Sequence, residues 1–246
     1  MTPDTETFYS RLHRPIGDLS LARRKQDVLY DKKWKLFLRR ARLFRHIPFI
    51  EFVLGSGSMA LGSVHKNSDL DALAGVKYGR IFTARAFCIL VFGSLGWRRS
   101  KFSHAESAKD KVCMHHFVTA KSYQLSPPYN IYWQEVYRNL VPIYGDRIVL
   151  DLFFAANSGW MDHKRICADD LRHKYKEVSR VQKFLEWVLS GKIGNLIETK
   201  LKKIQVRRIE NGFKNDKLGF EPRIKYTNEE LEFLPSTSRI HALTNQ

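Results

Sequence analysis

Cysteine is scarce. Cys88, Cys113 and Cys167 are far apart, odd in number and without a C-x-x-C spacing, so they support neither a disulfide framework nor a zinc site and fit a reducing compartment. Acidic residues are scarce as well: 25 Asp and Glu face 42 Lys and Arg, a formal charge of +17 at pH 7, with a sequence pI near 9.9. Such a surface favours polyanions as partners but names no chemistry. No apolar run is long enough to cross about 30 Å of hydrocarbon. The longest, residues 86–97, reads as a buried core helix, and the first fifteen residues hold no apolar segment of the kind that directs secretion. The expectation is a soluble, cytoplasmic protein that does not engage a membrane. No internal repeat is evident, so a repeat array is not expected.

Core material is plentiful. Of the 246 residues, 43% are apolar and 13% aromatic, which excludes disorder as the whole account. Residues 18–46 carry Tyr30, Trp34, Phe37, Leu38, Ala41 and Phe44 at three- and four-residue spacing, which predicts a long helix with one apolar stripe, stopped by Pro48. Its other faces hold Arg23, Arg24, Lys25, Lys32, Lys33, Lys35, Arg39, Arg40, Arg42 and Arg45, which fit phosphate contacts or a solvated face equally well. Residues 49–54 read as a strand feeding a Gly/Ser loop, 69–76 as a second strand, 80–95 as a mostly buried helix and 112–119 as a third strand.

Ser126, Pro127 and Pro128 mark a boundary. Beyond it, residues 131–140, 168–189 and 193–209 have helical patterning and no convincing strand, with an ambiguous apolar stretch at 148–155. From Asn211 the chain is basic and loop-rich, with a capped turn at residues 227–230 ahead of Leu231 and Phe233. The predicted class is α+β, a sheet with helices against it. Its divisions are an arm and basic helix over 1–47, a core over 48–125, an α-helical appendage over 126–210 and a basic segment over 211–246.

The chemically informative stretch is Gly55-Ser-Gly-Ser-Met-Ala-Leu-Gly-Ser-Val-His-Lys-Asn-Ser-Asp-Leu-Asp71, between the first two strands. Gly57 has no Cβ, so a phosphate can approach the backbone, and Ser58 offers a hydroxyl and an amide at the start of a short helix. Asp69 and Asp71 are two apart on a strand, so their carboxylates point to one face, where hard divalent cations are held by such oxygens. In phosphoryl and nucleotidyl transfer, carboxylates hold two metals roughly 3.5–4 Å apart. Either feature alone is commonplace; together they complement each other.

Gly57, Ser58, Ala60, Gly62, Ser68, Asp69 and Asp71 fall in the pattern G-S-x-A-x-G followed, after a short gap, by S-D-x-D. In this the chain resembles the DNA polymerase beta-like nucleotidyltransferase superfamily, over residues 49–76 and, by element order, to about residue 119. The resemblance implies a small mixed sheet flanked by helices, and transfer of a nucleoside monophosphate from an NTP such as ATP to an acceptor hydroxyl, releasing pyrophosphate. It implies Mg2+ as cofactor, Asp69 and Asp71 as metal ligands, and Gly57, Ser58 and Ser68 at the nucleotide.

The chain departs from that pattern at the third carboxylate, which members usually carry on a later strand. The later strand here reads Val112-Cys-Met-His-His-Phe-Val118, without an acid. Alternation places His115 with Cys113 and Phe117 on one face, and His116 with Val112, Met114 and Val118 on the other, so His115 is the expected occupant of the site. A neutral imidazole can act as a base near pH 7 and suits Mn2+ better than Mg2+. Asp110, Asp151 and Glu106 are the other sources of a third ligand, and structural histidines the plainer alternative. Arg80 and Arg85, with Lys109 and Lys111, are candidates for neutralising the triphosphate. Trp133, Tyr137, Tyr144 and Trp160 fit base stacking or a core.

The leading expectation is thus a metal-dependent nucleotidyltransferase with RNA as the acceptor its charge favours, a protein acceptor being the other choice. The alternative is a catalytically weak nucleotide- or RNA-binding module that lacks the third acid. A scaffold that binds another protein would instead expose an apolar patch on the appendage.

Overall fold

A computed structural model describes residues 21–99, 108–128, 131–161, 172–214 and 223–234. The fold is α+β. Helix α1 (Leu21–Ala41) runs into a 3-10 turn (Arg42–His46), then β1 (Ile50–Gly55), α2 (Gly57–Leu61), β2 (Leu70–Val76), α3 (Ile81–Ser94) and β3 (Val112–Val118). There follow α4 (Ile131–Arg138), β4 (Val141–Gly145), α5 (Arg147–Ala156), β5 (Lys174–Tyr175), α6 (Arg180–Val188), α7 (Gly191–Lys214), β6 (Arg223–Tyr226) and β7 (Glu230–Leu234). The strands form one mixed seven-stranded sheet in the order β5-β4-β1-β2-β3-β7-β6. Strand β2 lies antiparallel to β1 and parallel to β3.

Two apolar layers cover the sheet. Ile50 and Val53 of β1, the alternate residues Leu70, Ala72, Ala74 and Val76 of β2, and Phe117 of β3 meet α1, α3 and the 3-10 turn on one face. Phe52, Leu54, Leu73 and Val118 meet α4 and α5 on the other. Burial of the α1 stripe is as its spacing predicts: Tyr30, Trp34, Phe37, Ala41 and Phe44 are all buried. Phe52 is clamped between glycines of the neighbouring strands, because a Cβ on Gly75 or Gly145 would overlap it. Truncating such a ring to Ala costs about 3–5 kcal/mol.

The region 126–210 is not a purely helical appendage. It contributes β4, whose Val141, Pro142, Tyr144 and Gly145 pair with β1, and β5 beyond it. The ambiguous stretch at 148–155 is helix α5, capped by Asp146, whose carboxylate accepts from Ile148 N–H at 2.8 Å. Helix α7 is bolted to α3: Glu198 accepts from the Phe82 and Thr83 amides, each at 2.8 Å, filling the open N-terminus of α3. The predicted capped turn is the bend of the β6-β7 hairpin, where the Thr227 hydroxyl accepts from Glu230 N–H at 2.9 Å. This hairpin pairs with β3 and so belongs to the sheet.

Candidate active site

The loop after β1 is pressed against β2. Ser56 N–H donates to the Asp71 carbonyl at 2.9 Å, and Gly57 opens α2 at φ +60°, where any Cβ would overlap the Asp71 carboxylate. Glycine is therefore required there both by conformation and by space. Ser58 is partly exposed and makes no hydrogen bond to a described residue, which leaves its hydroxyl free at the loop. Gly62, at φ +74°, ends α2.

Asp69 directly precedes β2 and Asp71 lies within it. Asp69 is ion-paired with Arg99, which is brought there because Trp97 and Arg99 hydrogen-bond to Val112 at the start of β3. Asp71 sits opposite Cys113 in the parallel register of β2 and β3, its carboxylate within 4.8 Å of the thiol. Burial, then the neighbouring Asp69, push the Asp71 carboxyl up to about 8, against the pull of Arg99 and the thiol. Burial and the same two carboxylates hold the Cys113 thiol well above its ordinary value.

His115 reaches the site as expected, with Nδ1 at 3.9 Å from Asp71 Oδ1. It is 4% exposed, and neither ring nitrogen has a hydrogen-bond partner among the described residues. Burial, with His116 and Arg99 nearby, lowers its pKa to about 3. In that state it is neutral at pH 7 and offers a lone pair rather than a charge.

Simple alternation fails one residue later. The β2-β3 register slips between Met114 and His116, so a bulge turns His116 toward the same helix as His115. The two rings meet Trp133 and Tyr137, both on α4. His116 is 0% exposed and fully engaged, with Nδ1 at 2.6 Å from the Tyr137 hydroxyl and Nε2 at 3.1 Å from Glu230.

Several expected residues have structural duties instead. Ser68 is buried, its hydroxyl accepting from His65 N–H at 2.9 Å and its carbonyl from Lys33 at 2.7 Å. Lys33 is not on a solvated face but buried, and it also pairs with Asp110 at 2.7 Å, so Asp110 is spent on anchoring α1. Arg40 likewise turns inward over the Trp97 ring. Arg85 donates to Gln205 at 2.6 Å and lies over Phe233, tying α3 to α7 and β7. Arg80 lies over the Phe49 ring and bonds the Gly79 carbonyl. Asp151 is exposed on α5, and Glu106 lies outside the described residues. Tyr137 and Tyr144 are buried, which removes them as base-stacking platforms.

Three residues near the site carry no motif signal. Arg99 becomes visible only when β3 is registered against β2, and Cys113, which alternation put on the face of His115, meets Asp71 only through that register. The Tyr132 phenol on α4 is raised by burial and by both carboxylates, which locates it beside them.

Two groups of side chains could hold a metal ion among the described residues. In one, Asp71, Cys113 and His115 present donor atoms all within 4.8 Å of one another; in the other, His116, Glu230 and Glu232 do so. The second already contains a cation, since Lys225 Nζ lies 2.9 Å from Glu230 and 3.6 Å from Glu232. Magnesium binds through one or two carboxylates together with substrate phosphates. Asp69 and Asp71 fit that use, whereas Cys113 and His115 are not magnesium ligands.

Away from the site, α6 and α7 expose Val181, Phe184, Trp187, Ile193 and Leu196, with Trp187 76% exposed. No helix among the described residues is long and apolar enough to cross a membrane. No protein-family model, curated protein or solved structure matches this chain.

Proposed function

We propose that the chain transfers a nucleoside monophosphate from an NTP to an acceptor hydroxyl. The observation that supports this reading is the close fit of the Gly57 backbone onto the Asp71 carboxylate, which brings the Gly/Ser loop against the acidic strand. Gly57 and Ser58 would hold the phosphates, and Asp69 and Asp71 a magnesium or manganese ion arriving with the nucleotide. That ion would neutralise charge on the leaving pyrophosphate. The acceptor oxygen bonds to the α-phosphorus and gives its proton to solvent as the bond to the β-phosphate oxygen breaks. Asp69, now paired with Arg99, would have to share its carboxylate with such an ion.

RNA is the favoured acceptor. Lys25, Lys32, Lys35 and Arg39 on α1, Arg42 at the start of the 3-10 turn, and Lys192, Lys200, Lys203, Arg207 and Arg208 on α7, are exposed and suit phosphates. The exposed apolar row on α6 and α7 favours a second reading, in which the acceptor is a protein.

The test is incubation of the chain with each labelled NTP, Mg2+ or Mn2+, and total RNA or a cell lysate. Label should move to RNA and fall by roughly 100-fold or more in Asp69→Ala and Asp71→Ala, as when a principal electrostatic group is lost. Transfer unaffected by both substitutions overturns the assignment. Nucleotide binding without any transfer identifies the weak binding module instead.

A further inference from the structure

The geometry points to a site for a divalent ion of the zinc class, held by Asp71, Cys113 and His115. Their donor atoms lie within 4.8 Å of one another, and the His115 Nδ1 to Asp71 Oδ1 separation is 3.9 Å. Ligands about 2.0–2.3 Å from a tetrahedral ion stand roughly 3.3–3.8 Å apart, so only a small closure is needed. The second observation is the imidazole itself. His115 is buried with both ring nitrogens lacking a hydrogen-bond partner among the described residues, and buried polar groups are seldom left so without a water, an ion or a functional role to account for it.

The donors stand on two adjacent central strands. Cys113 is opposite Asp71 in the register, and His115 follows two residues later as the unpaired residue of the bulge between Met114 and His116. Sulfur, imidazole nitrogen and carboxylate oxygen together select zinc-like ions over magnesium. Three protein ligands leave a fourth position open, as in zinc sites that react rather than those that only brace a fold. Cysteine spacing hides this arrangement, because it has one cysteine and the third ligand comes from another strand. The inference goes beyond nucleotidyl transfer and shares only Asp71 with it.

The full chain, stripped with a chelator, is titrated with Co2+ as a spectroscopic stand-in. One equivalent should bind, with a thiolate-to-cobalt charge-transfer band and intense tetrahedral d–d bands. Zn2+ should displace it and millimolar Mg2+ should not. Cys113→Ser should abolish the charge-transfer band, and His115→Asn should weaken binding by roughly 100-fold, the upper end of losses for even outer-shell partners. If Cys113→Ser does not fold, Asp71→Asn serves, with the band retained at lower affinity. A wild-type titration without the charge-transfer band, or a band that survives Cys113→Ser, overturns the proposal. Label transfer in Mg2+ alone by stripped protein sustains the transferase reading whatever cobalt does. A cobalt band without transfer sustains this site alone.

Discussion

His115 and His116 are neighbours in sequence and both face α4, yet their surroundings are opposite in kind. His116 belongs to a closed network: Tyr137, Glu230, Glu232 and Lys225 satisfy one another, with the Lys225 ammonium against both carboxylates. Burial works against ionisation of Glu230, but the His116 and Lys225 contacts prevail and hold its pKa below the usual value. His115 has no hydrogen-bond partner among the described residues, and the carboxyl beside it is pushed up rather than down. A buried polar group that is satisfied holds a fold together; one left unsatisfied is held ready for something else. The difference separates a structural cluster from a binding one.

The largest effect should come from opening the closed network. Lys225→Met removes the ammonium that lies against Glu230 and the 1% exposed Glu232. Breaking a buried pair in this way costs about 3–5 kcal/mol, and the lysine's partial exposure places the expected loss near the lower end, roughly 3 kcal/mol. Denaturant unfolding at pH 7 measures it. A loss below roughly 0.5 kcal/mol would make the two histidine environments equivalent and remove the contrast.

At the other cluster, removing a charge should stabilise. Asp71 has its pKa raised to about 8 by burial first and Asp69 second, from an ordinary carboxyl value of 3.8. The folded state therefore holds a proton that the unfolded chain releases, so this stabilisation is full below the ordinary carboxyl range and is lost as pH rises to about 8. Asp71→Asn removes that dependence and should raise the stability of the metal-free chain at pH 8 by roughly 1–3 kcal/mol, the scale of one unsatisfied buried group. Thermal melts of both chains from pH 5 to about 8 give the difference curve. A flat curve, or Asp71→Asn melting lower throughout, would place Asp71 with the structural acids.

The contrast was half legible in the sequence. Gly57, Ser58, Asp69 and Asp71 are local: one loop and one strand, whose spacing survives any tertiary detail. His115 followed from alternation along β3, which held until the bulge. What the sequence could not disclose was non-local. Arg99 and Cys113 matter only through the parallel pairing of β2 and β3, and Glu230 and Glu232 only because a hairpin over a hundred residues later pairs with β3. Strand β4 was hidden by Pro142 and by its short length, five residues. Lys33 looked solvated because helical periodicity records the apolar stripe and is silent about a lysine folded over the edge to reach Asp110.

The smallest effect should come from the acid that neither cluster claims. Asp151 lies on the exposed side of α5, between the buried Leu150 and Phe153. Its place in an apolar stretch made it a candidate third carboxylate when that stretch could still be read as a strand. As a helix, the same residues put Leu150, Phe153 and Phe154 inward and Asp151 outward, by the 3.6-residue period. Asp151→Ala should therefore shift stability by less than about 0.5 kcal/mol, as surface substitutions do, and leave label transfer unchanged. A large loss of transfer with an unchanged melting temperature would bring α5 into the site. The missing third carboxylate would then come from a helix on the sheet face that carries Asp71, and the unsatisfied state of His115 would need another explanation.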